Sequence, residues 1–215
     1  PRPRPDLDAP ELLEREAPLN ILMDAVTRAV AGSGGVLTVR AEAGMGKTTL
    51  LTEFDARLPR SGDLTAVTVS SRQGSGRPDA VARSFVAGLE QLLGAELWEA
   101  CRVGAATLAL DHLRGGAALD PTTLVHGLGW LASNATAASP LVGVVDDAHF
   151  AEPLGRALLA ELALRAEDVP LFLVIAERTE APPMLDDHPL VELEPLSNEA
   201  LEQLAVHHLG TDARG

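Results

Sequence analysis

Tyrosine is absent from this sequence, cysteine occurs once (Cys101), and aromatic residues make up 3% of the 215 positions. A single cysteine allows no disulfide framework and no Cys-based zinc site. So few aromatics leave no visible platform on which RNA bases could stack. Basic residues are scarce too: 17 Lys and Arg face 31 Asp and Glu, a net charge of −14. Taken whole, such a chain repels nucleic acid and anionic membranes. The longest apolar stretches, such as Leu171–Ala176, fall far short of the roughly 18 residues a membrane helix needs. The first residues, Pro1-Arg2-Pro3-Arg4-Pro5, lead into acids rather than the apolar core of a secretory signal. Neither HExxH nor GxSxG occurs. These absences point to a cytoplasmic protein with no membrane partner.

What is present suits one α/β domain: 46% of residues are hydrophobic, with 19 Gly and 15 Pro as punctuation. Residues 1–10 are Pro-rich and are expected to form a flexible tail. Leu19, Leu22, Met23, Val26 and Val30 recur at helical spacing and predict a buried stripe. Short apolar runs predict strands at about 36–40, 64–69, 141–145, 171–176 and 190–193. Near-continuous runs such as Leu141-Val142-Gly143-Val144-Val145 are what strands buried on both faces require. Between the second and third strands, residues 79–138 read as helical throughout, a helical insertion with stripes through Phe85, Leu89 and Leu92 and through Leu108, Leu110 and Leu113. Ser197 is placed to cap a last helix. Strands alternating with helices predict a five-stranded, mostly parallel sheet flanked by helices in three layers.

The stretch that carries chemistry is Ala41-Glu42-Ala43-Gly44-Met45-Gly46-Lys47-Thr48-Thr49. A strand leads in and a helix leads out, the arrangement of a P-loop NTPase. Glycines let backbone N–H groups turn toward phosphates, and the following helix presents unpaired N–H donors and a positive dipole end. Ala43, Gly44, Met45, Gly46, Lys47, Thr48 and Thr49 are therefore the candidate nucleotide-binding residues. Lys47 would place a charge on the β- and γ-phosphates, and Thr48 a hydroxyl on Mg²⁺. Ala41 stands where the pattern begins with glycine, which is tolerable at negative φ.

Ligands of parallel sheets collect at the carboxyl ends of strands. Asp146-Asp147 ends one apolar strand and Arg178 ends another. Asp146 is the candidate second Mg²⁺ ligand, and Asp147 the candidate base that orients or deprotonates attacking water. Arg178 could touch the γ-phosphate, His149 could position Asp147, and Arg15 could reach the nucleotide if its segment folds across the loop. A nucleotide-binding module without turnover and a small-molecule kinase also fit these motifs. The only arginines beside the candidate lid at 73–78 are Arg72 and Arg77, fewer than a kinase's basic lid would want.

The combination resembles the nucleotide-binding domain of STAND-class P-loop ATPases, an AAA/ORC-like module, and in particular that of large LuxR-type transcriptional regulators. The resembling segments are Glu14-Arg15-Glu16, Ala43–Thr48 as Walker A, Val144–Phe150 with Glu152-Pro153 as Walker B, Ala176–Thr179 as sensor, and Glu194–Ser197 leading into a helical lid. Two positions depart from the family pattern: Glu14 replaces a usual Gly, and Phe150 a frequent Trp. The resemblance implies ATP and ADP as ligands, slow hydrolysis and possible self-association through the ATPase domain. It implies a nucleotide-binding domain over 11–195 and the start of a truncated lid over 196–215. DNA would be met only through domains absent from this chain.

Overall fold

The computed structural model describes residues 13–59, 64–72 and 76–209. The predicted tail at 1–10 and part of the loop at 73–78 lie outside them. Five strands form one sheet: β1 (Gly35–Ala41), β2 (Thr65–Ser70), β3 (Leu141–Asp146), β4 (Leu171–Arg178) and β5 (Leu190–Glu192). Their spatial order is β2-β3-β4-β1-β5, and every neighbouring pair is parallel. The expected three-layer α/β fold is the observed one.

Alternation along each strand divides the core in two, because successive side chains leave opposite faces. On one face Leu37, Val39, Val142, Val144 and Val174 meet α1 (Glu16–Val30) and α2 (Lys47–Arg57) through Leu19, Leu22, Leu50 and Phe54. On the other, Val67, Val69, Val145, Leu173 and Ile175 meet α3 (Ala80–Leu92), α6 (Pro121–Thr136) and α7 (Pro153–Arg165). The remaining helices of the predicted insertion, α4 (Ala95–Cys101) and α5 (Ala105–Leu113), pack on α6. Asp120 starts α6 by accepting from Thr123 N–H at 3.0 Å, with Pro121 at the first helical position. Ser197 likewise caps α8 (Asn198–Leu209), accepting from Ala200 N–H at 3.1 Å.

Three residues of the predicted stripes face solvent instead: Val30, Leu92 and Leu108 are 49%, 46% and 56% exposed. Val30 and Leu92 are the last residues of α1 and α3, at helix ends rather than along their packed lengths. Leu108 lies on a short helix whose other face, Ala106, Ala109, Leu110 and Leu113, is the buried one. Periodicity marks a stripe but not where its neighbours stop.

Candidate nucleotide-binding site

The strand order brings three carboxyl ends together. Ala41, the last residue of β1, pairs directly with Arg178, the last of β4, and β3 lies on the far side of β4. The loop after β1, the Asp146-Asp147 turn and Arg178 therefore share one edge of the sheet.

The loop's backbone follows from its glycines. Gly44 and Gly46 sit at φ +82° and +85°, conformations that cost an L side chain. Ala41 lies within β1 and is not among the positive-φ residues, so a methyl is tolerated where the pattern usually has glycine. Gly46 is the N-cap of α2 and no side chain caps that helix, leaving its first-turn N–H groups facing the crevice. Lys47 is 7% exposed. Its Nζ donates to Ala41 O at 2.6 Å and Glu42 O at 2.8 Å, bridging the mouth of the loop. Burial pulls its pKa below the ordinary lysine value; Asp147 and Asp146 pull back upward and Arg178 pushes further down. These opposing effects place Asp146, Asp147 and Arg178 within electrostatic reach of Lys47.

Thr48 Oγ1 donates to Asp146 Oδ2 at 2.8 Å. A hydroxyl and a carboxylate so close beside an anion-binding loop suit a hard cation that takes oxygen ligands. Among the described residues no group of three His, Cys, Asp or Glu side chains could hold a metal by itself. A cation here would complete its shell from phosphate and water, as Mg²⁺ does.

Asp147 sits at φ 54°, in the left-handed region where Asp and Asn are the commonest non-glycine residues. Its N–H donates to Asp146 Oδ1 at 2.8 Å, which fixes the turn. Arg72, two residues past β2, forms an ion pair with Asp147 at 3.0 Å. The Arg72 guanidinium also lies 4.7 Å from the centre of the Phe150 ring, and that of Arg178 lies 5.7 Å from it. Phe150 is thus a common rest for both arginines. The sequence reading weighs Arg72 only as a lid arginine and not as a neighbour of Asp147, yet the strand-end rule that selects Arg178 extends to it.

His149 is the buried member of this group, its side chain 8% exposed and its Nε2 3.8 Å from Asp147 Oδ1. Among the described residues neither ring nitrogen has a hydrogen-bond partner. Burial first, then Arg178, Lys47 and Arg72, lowers its pKa against the upward pull of Asp147, so the folded state holds a neutral imidazole. The sign of the pH dependence follows. Below the ordinary value of 6.5 the unfolded chain takes up a proton that the folded chain resists, and stability falls as pH falls through that value. His149→Asn removes this part of the loss. Urea unfolding at about pH 7.5 and about pH 5.5 should show a smaller acid destabilisation in the variant than in the parent.

Arg15 does not lie loose on the surface. It is 6% exposed and donates to Glu14 O (3.0 Å), Met45 O (3.2 Å) and Glu194 O (2.8 Å). It therefore reaches the phosphate loop through the Met45 carbonyl and ties that loop to the segment before α8. Glu14 adopts φ 55°, a conformation that glycine would take without strain. Here the left-handed Glu14 is held by Ser197, whose N–H donates to its carboxylate at 2.8 Å and whose hydroxyl bonds the other oxygen. Those bonds hold the Glu14 carboxyl below its usual pKa.

A family model described as "AAA ATPase domain" matches residues 11–175. The chain belongs to the AAA ATPase domain family. No curated protein matches it. Among solved structures, the AAA ATPase domain is similar to Cdc6p from Pyrobaculum aerophilum, at 14% identity and a TM-score of 0.64, over 94% of this chain and 51% of that one. It is also similar to the Aeropyrum pernix Orc1 protein, solved in complex with DNA, at 19% identity and a TM-score of 0.54, over 94% and 50%. Drosophila ORC bound to DNA matches at 14% identity and a TM-score of 0.57, over 91% and 46%. At such identities the likeness establishes the fold, and the chain spans about half the length of these proteins. The crevice described above thus belongs to a nucleotide-binding AAA ATPase module. No helix of the described residues is long and apolar enough to cross a membrane.

Proposed function

We propose that this AAA ATPase domain is an ATP-binding, slowly hydrolysing switch within a larger signal-transduction ATPase of the LuxR-type regulator kind. Lys47 and the N–H groups of 43–49 hold the phosphates, and Thr48 with Asp146 holds Mg²⁺, which when bound neutralises charge on the phosphate oxygens. Asp147 takes the proton of the attacking water, and Arg178 meets the γ-phosphate. Catalysis is then positioning plus charge stabilisation.

The observation that carries the slow-switch reading is the Arg72–Asp147 ion pair. A carboxylate held by a guanidinium is not free to turn toward an attacking water, so turnover waits until Arg72 leaves. The LuxR-type setting rests on Glu14-Arg15-Glu16 and Asp146-Asp147-Ala148-His149, and the switched output is assembly through this domain. With a net charge of −14, DNA contact falls to other domains. The test is phosphate release with Mg²⁺ and ATP, alongside the identity of bound nucleotide. We expect release on the order of 10⁻³ s⁻¹, the scale of an NTPase lacking an arginine finger. ATP binding with no release over hours leaves a nucleotide-binding platform, and no ATP binding removes the reading altogether.

A further inference from the structure

A charged pair lies where the sheet could have been apolar. Arg40 and Glu177 face each other in the β1–β4 register, one residue before the Ala41–Arg178 pair. The Glu177 side chain is 1% exposed and that of Arg40 17%. Arg40 Nε lies 3.1 Å from Glu177 Oε1, but the N–H is not aligned on that oxygen, so the attraction is between charges rather than a hydrogen bond. Burial pushes the Glu177 carboxyl upward in pKa against the opposing pull of the Met184 N–H, Arg40 and Arg156. Buried ion pairs are weak stabilisers because desolvation offsets the Coulombic gain, and their better-attested use is to specify one arrangement.

The arrangement specified here is the turn that follows Arg178. Arg40 donates through one guanidinium nitrogen to Arg178 O (3.3 Å), Thr179 O (3.2 Å) and Ala181 O (2.7 Å). Glu177 Oε2 accepts from Met184 N–H at 2.8 Å. The pair therefore grips the turn at its start and at its far end. Along β4 the side chains alternate, so the strand that sends Glu177 into the pair sends Arg178 to the other face, where it meets Phe150 and the electrostatic field of Lys47.

We propose that Arg40 and Glu177 are a positioning pair that sets Arg178 for the terminal phosphate and thereby sets the preference for nucleoside triphosphate over diphosphate. This rests on the reading of Arg178 as the residue that meets the γ-phosphate. Neither residue touches nucleotide; each acts through the backbone that carries Arg178. A shift of that backbone by a fraction of an ångström weakens a contact made only to the third phosphate and spares those made by the loop at 43–49.

The experiment compares fluorescent ATPγS and ADP titrations for the whole chain as wild type, Arg40→Lys, Glu177→Gln and Arg178→Ala, with melting curves for each. Arg40→Lys keeps the charge on a side chain one atom shorter, so its ammonium is set back from the three carbonyls that the Arg40 Nη2 meets. Glu177→Gln keeps an acceptor for Met184. We expect both to lower the triphosphate preference about tenfold, the scale of one lost charge-assisted contact. ADP affinity should stay within about twofold, and Arg178→Ala should show the same loss. A merely structural role would weaken both nucleotides together, and that result overturns the proposal. So does an unchanged preference in folded Arg40→Lys and Glu177→Gln while Arg178→Ala loses it. If Arg178→Ala itself keeps the wild-type preference, the γ-phosphate reading fails first and the positioning role falls with it.

Discussion

Lys47→Ala should leave a folded domain whose ATP affinity has dropped by about a hundredfold or more, the equivalent of two lost charge-assisted hydrogen bonds. The reason is the position of Nζ. It bridges the carbonyls of Ala41 and Glu42 at the mouth of the loop, with α2 opening uncapped beside it. No other side chain of the loop carries a positive charge, so a bound polyphosphate would keep only the N–H groups and the helix dipole. Stability should change little, because two effects oppose. Alanine leaves two carbonyls without their partner, which costs stability. It also removes an ammonium whose burial is the main cause of its lowered pKa, which relieves a desolvation penalty. The pH profile adds a second readout. With its pKa below the ordinary value of 10.5, Lys47 discharges sooner than an exposed lysine as pH rises. Wild-type affinity should decline through that range, and the variant's should not. Calorimetric titration with ATP at fixed ionic strength measures both effects, since charge interactions here are screened by salt. An affinity within about threefold of wild type would remove Lys47 from the phosphate site.

Asp147→Asn should separate turnover from binding: phosphate release lower by about 10²- to 10⁴-fold, the range of general-base loss, with ATP affinity nearly intact. The substitution is a clean one. Asn is as much at ease as Asp at φ 54°, and the turn's own bond, from the Asp147 N–H to Asp146 Oδ1, involves no atom of the changed side chain. What the amide cannot do is accept a proton, nor can it hold Arg72 as a carboxylate does at 3.0 Å. Arg72 is therefore released in the same variant. If the ion pair merely masked a second base elsewhere, Asp147→Asn would speed phosphate release instead, and Asp147 would lose its role. Single-turnover phosphate release beside fluorescent nucleotide binding resolves the two outcomes.

Much of the site was legible because its chemistry is local. The loop at 41–49 needs glycines at left-handed φ, a lysine at the helix start and a hydroxyl next to it. All of these fall within nine consecutive residues. Asp146-Asp147 and Arg178 were found by a rule of topology, that polar residues ending buried strands gather at one edge of a parallel sheet. Arg72 obeys the same rule at two residues' remove, following a strand of weaker apolar signal, Thr65–Ser70, whose burial alternates with partial exposure. Its partnership with Asp147 depends on β2 lying next to β3, which the order of elements along the chain does not state.

The amino-acid sequence by itself determined the class of fold, the glycine-rich strand-loop-helix and the carboxylates that gather at the same edge of the sheet. Each depends on periodicity or on a backbone conformation that nearby residues select. Only the tertiary structure decided which charges answer one another. Arg40 against Glu177, Arg15 against Met45 and Glu194, and Glu14 against Ser197 join residues up to 183 positions apart. Such pairings arise from strand order and register, and a side chain's partner across a sheet has no signature within its own segment. The same holds for Ala41 and Glu14, at two positions where the sequence reading expects glycine. Whether a non-glycine residue is harmless there depends on φ, negative within β1 at one site and positive but braced by Ser197 at the other.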